Sequence, residues 1–148
     1  MRFGSEAQLV GIVTRPNAPL PTSVVILNAG VLHRVGPHRL HVLLARRLAE
    51  RGFQALRLDL GGIGDSVASS DATTFRESAV ADTRLAMTGL ATRSHVIFGV
   101  CAGADNALAT ALADDRVAGI VLVDPYVYPT RLATVRALRM KIRRLGPR

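Results

Sequence analysis

The single cysteine of this 148-residue chain sits in a string whose spacing suggests covalent chemistry, Gly99-Val100-Cys101-Ala102-Gly103. An apolar, β-branched run at 95–100 precedes it and a small-residue helical run at 102–113 follows. The string matches the G-x-S-x-G nucleophile elbow with Cys in the Ser position. A nucleophile on so sharp a strand-to-helix turn brings the backbone two residues before it close to the backbone two residues after it. Side chains would collide there, and Gly99 and Gly103 have none. The following helix would aim its first N–H groups at the thiol and favour the thiolate, the nucleophilic form. The Ala102 N–H would be one donor to an oxyanion. A glycine-flanked turn around an inert cysteine fits the same five letters; the strand before and the helix after favour the elbow.

Other candidates are weaker individually. Asp124, at the carboxyl end of the apolar run 117–123, is the best-placed acid, although Asp before Pro is also an ordinary turn former. A triad base is expected after the nucleophile, in the order nucleophile, acid, base. No histidine follows Cys101: His33, His38 and His41 precede it in a loop and helix, and His95 opens a strand at the end of the sheet away from the elbow. His33 could lie near the site, but a solvated loop histidine is the simpler reading. Gly61-Gly62-Ile63-Gly64-Asp65-Ser66 does not open a helix at the spacing a dinucleotide fingerprint needs. The only lysine, Lys141, is far from it, which excludes a phosphate-loop lysine. The string reads as a tight loop at the carboxyl edge of the sheet, bringing Asp65 and Ser66 near any site there.

The elements that must position these residues follow from periodicity. Strands are expected at 8–14, 23–27, 53–58, 95–100 and 117–123, each apolar and bounded by turn residues. Helices are expected at 39–51, with Leu40, Leu43, Leu44 and Leu48 inward, and at 73–91, starting near Thr73 or Thr74, with Phe75, Val80, Leu85 and Leu90 inward. A third is expected at 102–113. The alternation predicts an α/β fold, a mostly parallel sheet with helices on both faces.

Composition bounds the rest. With 49% hydrophobic residues the chain supports one core, 1–130, and no apolar stretch approaches the roughly 20 residues of a membrane span. A lone cysteine excludes an intrachain disulfide and a thiolate-rich metal site, so no metal and no cofactor is expected. The N-terminus lacks the apolar core of a signal peptide, so a cytoplasmic location is expected. The net charge of +8 is concentrated at the end: seven of the 19 basic residues follow Tyr128, and all 11 acids lie at or before Asp124. The body is therefore nearly neutral, and nucleic-acid binding is not expected. Residues 131–148 read as a basic amphipathic helix, which could cover part of the sheet or make weak contact with an anionic membrane surface.

Taken together, Val25-Ile26-Leu27-Asn28-Ala29-Gly30, His33-Arg34-Val35-Gly36-Pro37, residues 57–66 and Gly99–Gly103 resemble the α/β-hydrolase superfamily. More narrowly, they resemble the serine-aminopeptidase-like hydrolases associated with bacterial exosortase A systems. The resemblance covers about 8–128. It implies a Cys101 nucleophile, a second oxyanion donor from Val31 or Gly30 in the loop after Asn28, and hydrolysis of a small-molecule ester, thioester or amide. It also implies two further strands, the first followed by the acid and the second by the base histidine. The sequence ends before either. The chain therefore resembles the N-terminal two-thirds of a hydrolase, with 131–148 as the possible start of a cap and Val117–Val123 as an open edge favouring homo-oligomers. A non-catalytic module that self-associates or binds a partner is the alternative expectation.

Overall fold

The computed structural model describes residues 1–4, 8–68 and 74–126. Each apolar run becomes a strand, within a residue or two of its expected ends: β2 (Leu9–Thr14), β3 (Thr22–Ile26), β4 (Gln54–Asp59), β5 (Ser94–Val100) and β6 (Val117–Val123). A two-residue β1 (Arg2–Phe3), which nothing in the sequence announces, precedes them. The helices are α1 (Leu40–Glu50), α2 (Phe75–Thr88) and α3 (Ala102–Ala113). Thr73 and the basic segment 131–148 lie outside the described residues.

The strands form one sheet in the order β1-β2-β4-β3-β5-β6. The four strands β3 to β6 are parallel, while β1 and β2 run antiparallel to their neighbours. Chain length explains the reversal of β2 relative to β3. A parallel return needs a crossover of about a dozen residues, and the Pro-rich segment 15–21 is shorter. After β3 the chain moves through α1 to β4 on one side; after α2 it returns to β5 on the other. The carboxyl ends of β3 and β5 therefore flank the crevice where parallel sheets bind ligands.

Alternating residues of the central strands feed two cores. Val25, Leu27, Leu56, Leu58 and Ile97 pack with Ala86, Met87 and Ala107 on the α2–α3 side. Val24, Ile26 and Ala55 pack with Ala45, Leu44, Leu48 and Phe98 on the α1 side. Both faces of the inner strands are thus covered, as their apolar sequences predict. β6 departs from that expectation: Val121 and Val123 are exposed, and β5 is the one neighbour it has among the described residues.

Two helices turn different faces inward than simple leucine spacing predicts. In α1 the buried residues are His41, Val42 and Ala45, and Leu40 and Leu43 are exposed. The chain enters α1 through a 3-10 turn at Pro37–Arg39, with His38 and Arg39 at positive φ. Gly36 then lies against the His41 ring so closely that a Cβ there would stand 2.5 Å from its Cγ. In α2, Phe75 and Leu85 are exposed, whereas Ala79, Thr83, Ala86 and Met87 are buried. Thr74 caps α2 in a capping box with Glu77, and the helix ends at Gly89.

Candidate active site

Cys101 stands exposed on the turn between β5 and α3 with φ 51° and ψ −124°. A non-glycine residue in that region costs on the order of 1–3 kcal/mol and persists only where its surroundings enforce it. Here the enforcement is visible. A Cβ on Gly99 would fall inside the Gly103 carbonyl, and a Cβ on Gly103 would fall inside the carbonyl of Asn28 at the end of β3. The Cys101 N–H donates to the Val123 carbonyl at 2.9 Å, and the Cys101 carbonyl accepts from Ala104 N–H at 2.8 Å. The turn is thus clamped between β3, β6 and its own helix. Ala102, as the first residue of α3, has an N–H without an intrahelical acceptor.

Asp124 follows β6, also at positive φ (52°). Its Oδ2 accepts from the Cys101 thiol at 3.7 Å. Asp105, in the first turn of α3, accepts the Tyr126 N–H at 3.1 Å. Cys101, Ala102, Asp105, Asp124, Pro125 and Tyr126 line an open cavity of about 410 Å³.

The loop residues singled out by sequence divide differently. Gly30 and Val31 are the central pair of a turn closed by Leu32 N–H to the Ala29 carbonyl at 3.2 Å; Gly30 has φ 59°, and Val31 is 86% exposed. His33 is exposed. None of the three lines the cavity at Cys101. Asp65 and Ser66 belong to a polar cluster that the sequence reading missed, centred on the fully buried Asp59 at the end of β4. Asp59 accepts from Asn28 Nδ2 at 3.1 Å, from the Arg34 N–H at 2.6 Å, from the Arg34 guanidinium and from the Asp65 N–H at 3.2 Å. Arg34 also pairs with Asp65 at 2.6 Å. Asn28 Oδ1 accepts the Leu60 N–H at 2.8 Å. Ser66, itself buried, donates to the Asp59 carbonyl at 2.7 Å and accepts from Val10 N–H at 2.9 Å. The cluster ties the loops after β3 and β4 together beneath the edge that carries Cys101. The contacts from Asn28 and Arg34 to Asp59 and Leu60 cross 25 to 32 positions and that from Val10 to Ser66 crosses 56, so no local pattern could have announced them.

No family model and no curated protein matches the sequence. Solved structures do. An esterase from Thermogutta terrifontis superposes with a TM-score of 0.65 at 26% identity, covering 94% of this chain and 49% of its own. An alpha/beta superfamily hydrolase from Oenococcus oeni PSU-1 gives 0.63 at 20%, covering 86% and 45%. The fold is that of the α/β-hydrolases. A probable hydrolytic enzyme from Pseudomonas aeruginosa PAO1 adds a TM-score of 0.70 at 18% identity, covering 84% of this chain and 40% of its own. The chain spans about half the length of the α/β-hydrolase structures it matches.

An α/β-hydrolase site needs a base, and among the described residues no histidine lines the Cys101 cavity. His41 and His95 are both fully buried. His95 Nδ1 lies 2.8 Å from Ser23 Oγ, and burial, then the nearby Arg116 charge, hold its pKa below the usual histidine value. His41 is lowered by burial and then by Arg57. Neither lines the Cys101 cavity.

Proposed function

We propose that this chain carries the nucleophile of an acyl hydrolase, with Cys101 attacking the carbonyl carbon of an ester, thioester or amide. The observation that supports this best is the backbone of Cys101: an exposed thiol held at φ 51° by two glycines that admit no Cβ. An inert turn cysteine gives no reason to sustain such strain. In the reaction the sulfur bonds to the acyl carbon, the carbonyl oxygen becomes an oxyanion facing the Ala102 N–H, and the alcohol, thiol or amine departs with a proton. Water then cleaves the thioester and returns the thiol. Within this reading Gly30 and Val31 offer the second oxyanion donor when the loop after Asn28 turns toward the substrate.

Asp124 holds the thiol, and among the described residues no histidine lines the cavity to take its proton or to activate water. Acylation of Cys101 followed by slow deacylation is the expected behaviour. The residues around His33–Pro37 suggest a place beside the exosortase A-associated hydrolases.

Brief exposure to p-nitrophenyl acetate followed by intact-mass spectrometry tests the reading. One acetyl adduct is expected on the parent and none on Cys101→Ala. An unmodified parent shown to be folded by circular dichroism would make Cys101 structural.

A further inference from the structure

A second cluster of charge lies on the α1 side of the sheet and takes no part in the site above. Arg57 is in β4, in register with Ile26 of β3 and, through it, with Phe98 of β5. Ile26 and Phe98 pack in the core with Ala45 of α1, which puts the Arg57 side chain on that face as well. Arg57 is 7% exposed, and its Nε is buried without a hydrogen-bond partner. The charges bearing on it are those of Arg34, Arg46 and Arg39 against one carboxylate, Asp59, and Asp59 is already occupied by Arg34 and Asn28. His41, in the first turn of α1, is fully buried beside it with both ring nitrogens unpartnered.

Helix α1 itself adds positive potential at the same place. Its N-cap is Arg39, at φ 63°, with no side-chain cap and no acid in the first turn. The Leu40 N–H donates to the Pro37 carbonyl of the preceding 3-10 turn, and no side chain caps the N–H groups that follow it. A buried Nε–H without an acceptor is unfavourable, and a helix start without a side-chain cap beside it adds to the local positive potential. Both are the features of an anion site.

We propose that the start of α1, with Arg57 beneath it and Arg39 above it, binds a small oxyanion, a phosphate or carboxylate group. The anion would accept from the first-turn N–H groups and from the Arg57 guanidinium, with Arg39 and Arg46 closing over it from solvent. The helix start lies at the carboxyl edge of the sheet, the edge that carries Cys101. Arg57 and β5 are two strand spacings apart, on the order of 10 Å. The anion could therefore be free or be the far end of an acyl substrate.

Thermal melting of the full chain in sodium phosphate against sodium chloride of equal ionic strength is the test. Phosphate is expected to raise the melting temperature saturably, by about 5 °C at fifty times a millimolar dissociation constant. Cys101→Ala should keep this response, which separates it from the acyl chemistry. Arg57→Met should melt at or above the parent in chloride and lose the phosphate response, because an apolar side chain removes the unpaired charge. Arg39→Ala, at an exposed position, should fold like the parent and lose most of the response. No greater effect of phosphate than chloride, or an undiminished response in Arg39→Ala, would overturn the proposal. Acylation by the p-nitrophenyl monoester of suberic acid, compared with p-nitrophenyl octanoate, identifies the source. Inhibition by phosphate of the suberate alone assigns the site to the substrate's own carboxylate; equal acylation with the melting response intact assigns it to a free anion.

Discussion

Cys101 and Asp124 are non-glycine residues at positive φ that face each other across the ends of adjacent parallel strands. The contact has a definite electrostatic sense. The carboxylate accepts the thiol hydrogen and places its charge 3.7 Å from the sulfur that must attack. Asp124→Asn should therefore raise the rate of Cys101 alkylation by iodoacetamide at pH 8, by about fivefold for exposed charges near 4 Å. A slower rate in the variant would instead make Asp124 the proton acceptor. The cysteine and its glycines were legible in the sequence because the elbow is a local pattern. The thiol–carboxylate contact was legible only as strand order, since Asp124 ends the strand beside β5.

At the scale of elements, the two glycines of the elbow fix how closely β5, α3 and the end of β3 approach. Gly99→Ala and Gly103→Ala should each cost about 3 kcal/mol or more, read as a lower urea midpoint or loss of soluble protein, since the obstructing atoms are backbone. The cluster around Asp59 predicts a second loss. Asp59→Ala leaves Arg34 and Asn28 without their acceptor and should destabilise by about 3–5 kcal/mol in the same assay. Strand positions were readable because apolar, β-branched runs between turn residues have few alternatives. Helix faces were less so. Leucine spacing in α1 pointed to Leu40, Leu43, Leu44 and Leu48; Leu44 and Leu48 do pack on the core, but the left-handed residues His38 and Arg39 set how the helix enters, so Leu40 and Leu43 are exposed and His41 is buried. In α2 Ala79, Thr83, Ala86 and Met87 face inward, and Phe75 and Leu85 do not. Arg57 and Asp59 entered the sequence reading only within the string 57–66, and nothing there announced their burial, because a charged residue in a strand is buried only when distant partners or an open face accept it.

For the whole molecule, the buried histidines set the acid side of stability. His41 and His95 have folded pKa values below the ordinary 6.5, so the unfolded chain binds more protons between those values. Stability contributed by their neutral forms is fully present above about pH 6.5 and falls as pH drops below it. Asp114, held well below the carboxylate range first by its hydrogen bonds with Arg116, adds a further loss as pH falls below about 4. Melting temperature should thus be flat from pH 7 to 8 and decline below 6.5, with a shallower decline in His41→Phe. An equally steep decline in that variant would remove His41 from the account. The same scale holds the central proposal, that Cys101 is the nucleophile and that, among the described residues, no histidine lines its cavity to act as base. The most direct measurement is p-nitrophenol release from excess p-nitrophenyl acetate, followed from mixing. The account predicts a burst of one equivalent per chain, then near-zero turnover, and no burst in Cys101→Ala. A parent trace with no burst, or one indistinguishable from Cys101→Ala, would contradict the nucleophile, and sustained turnover abolished in Cys101→Ala would contradict the missing base.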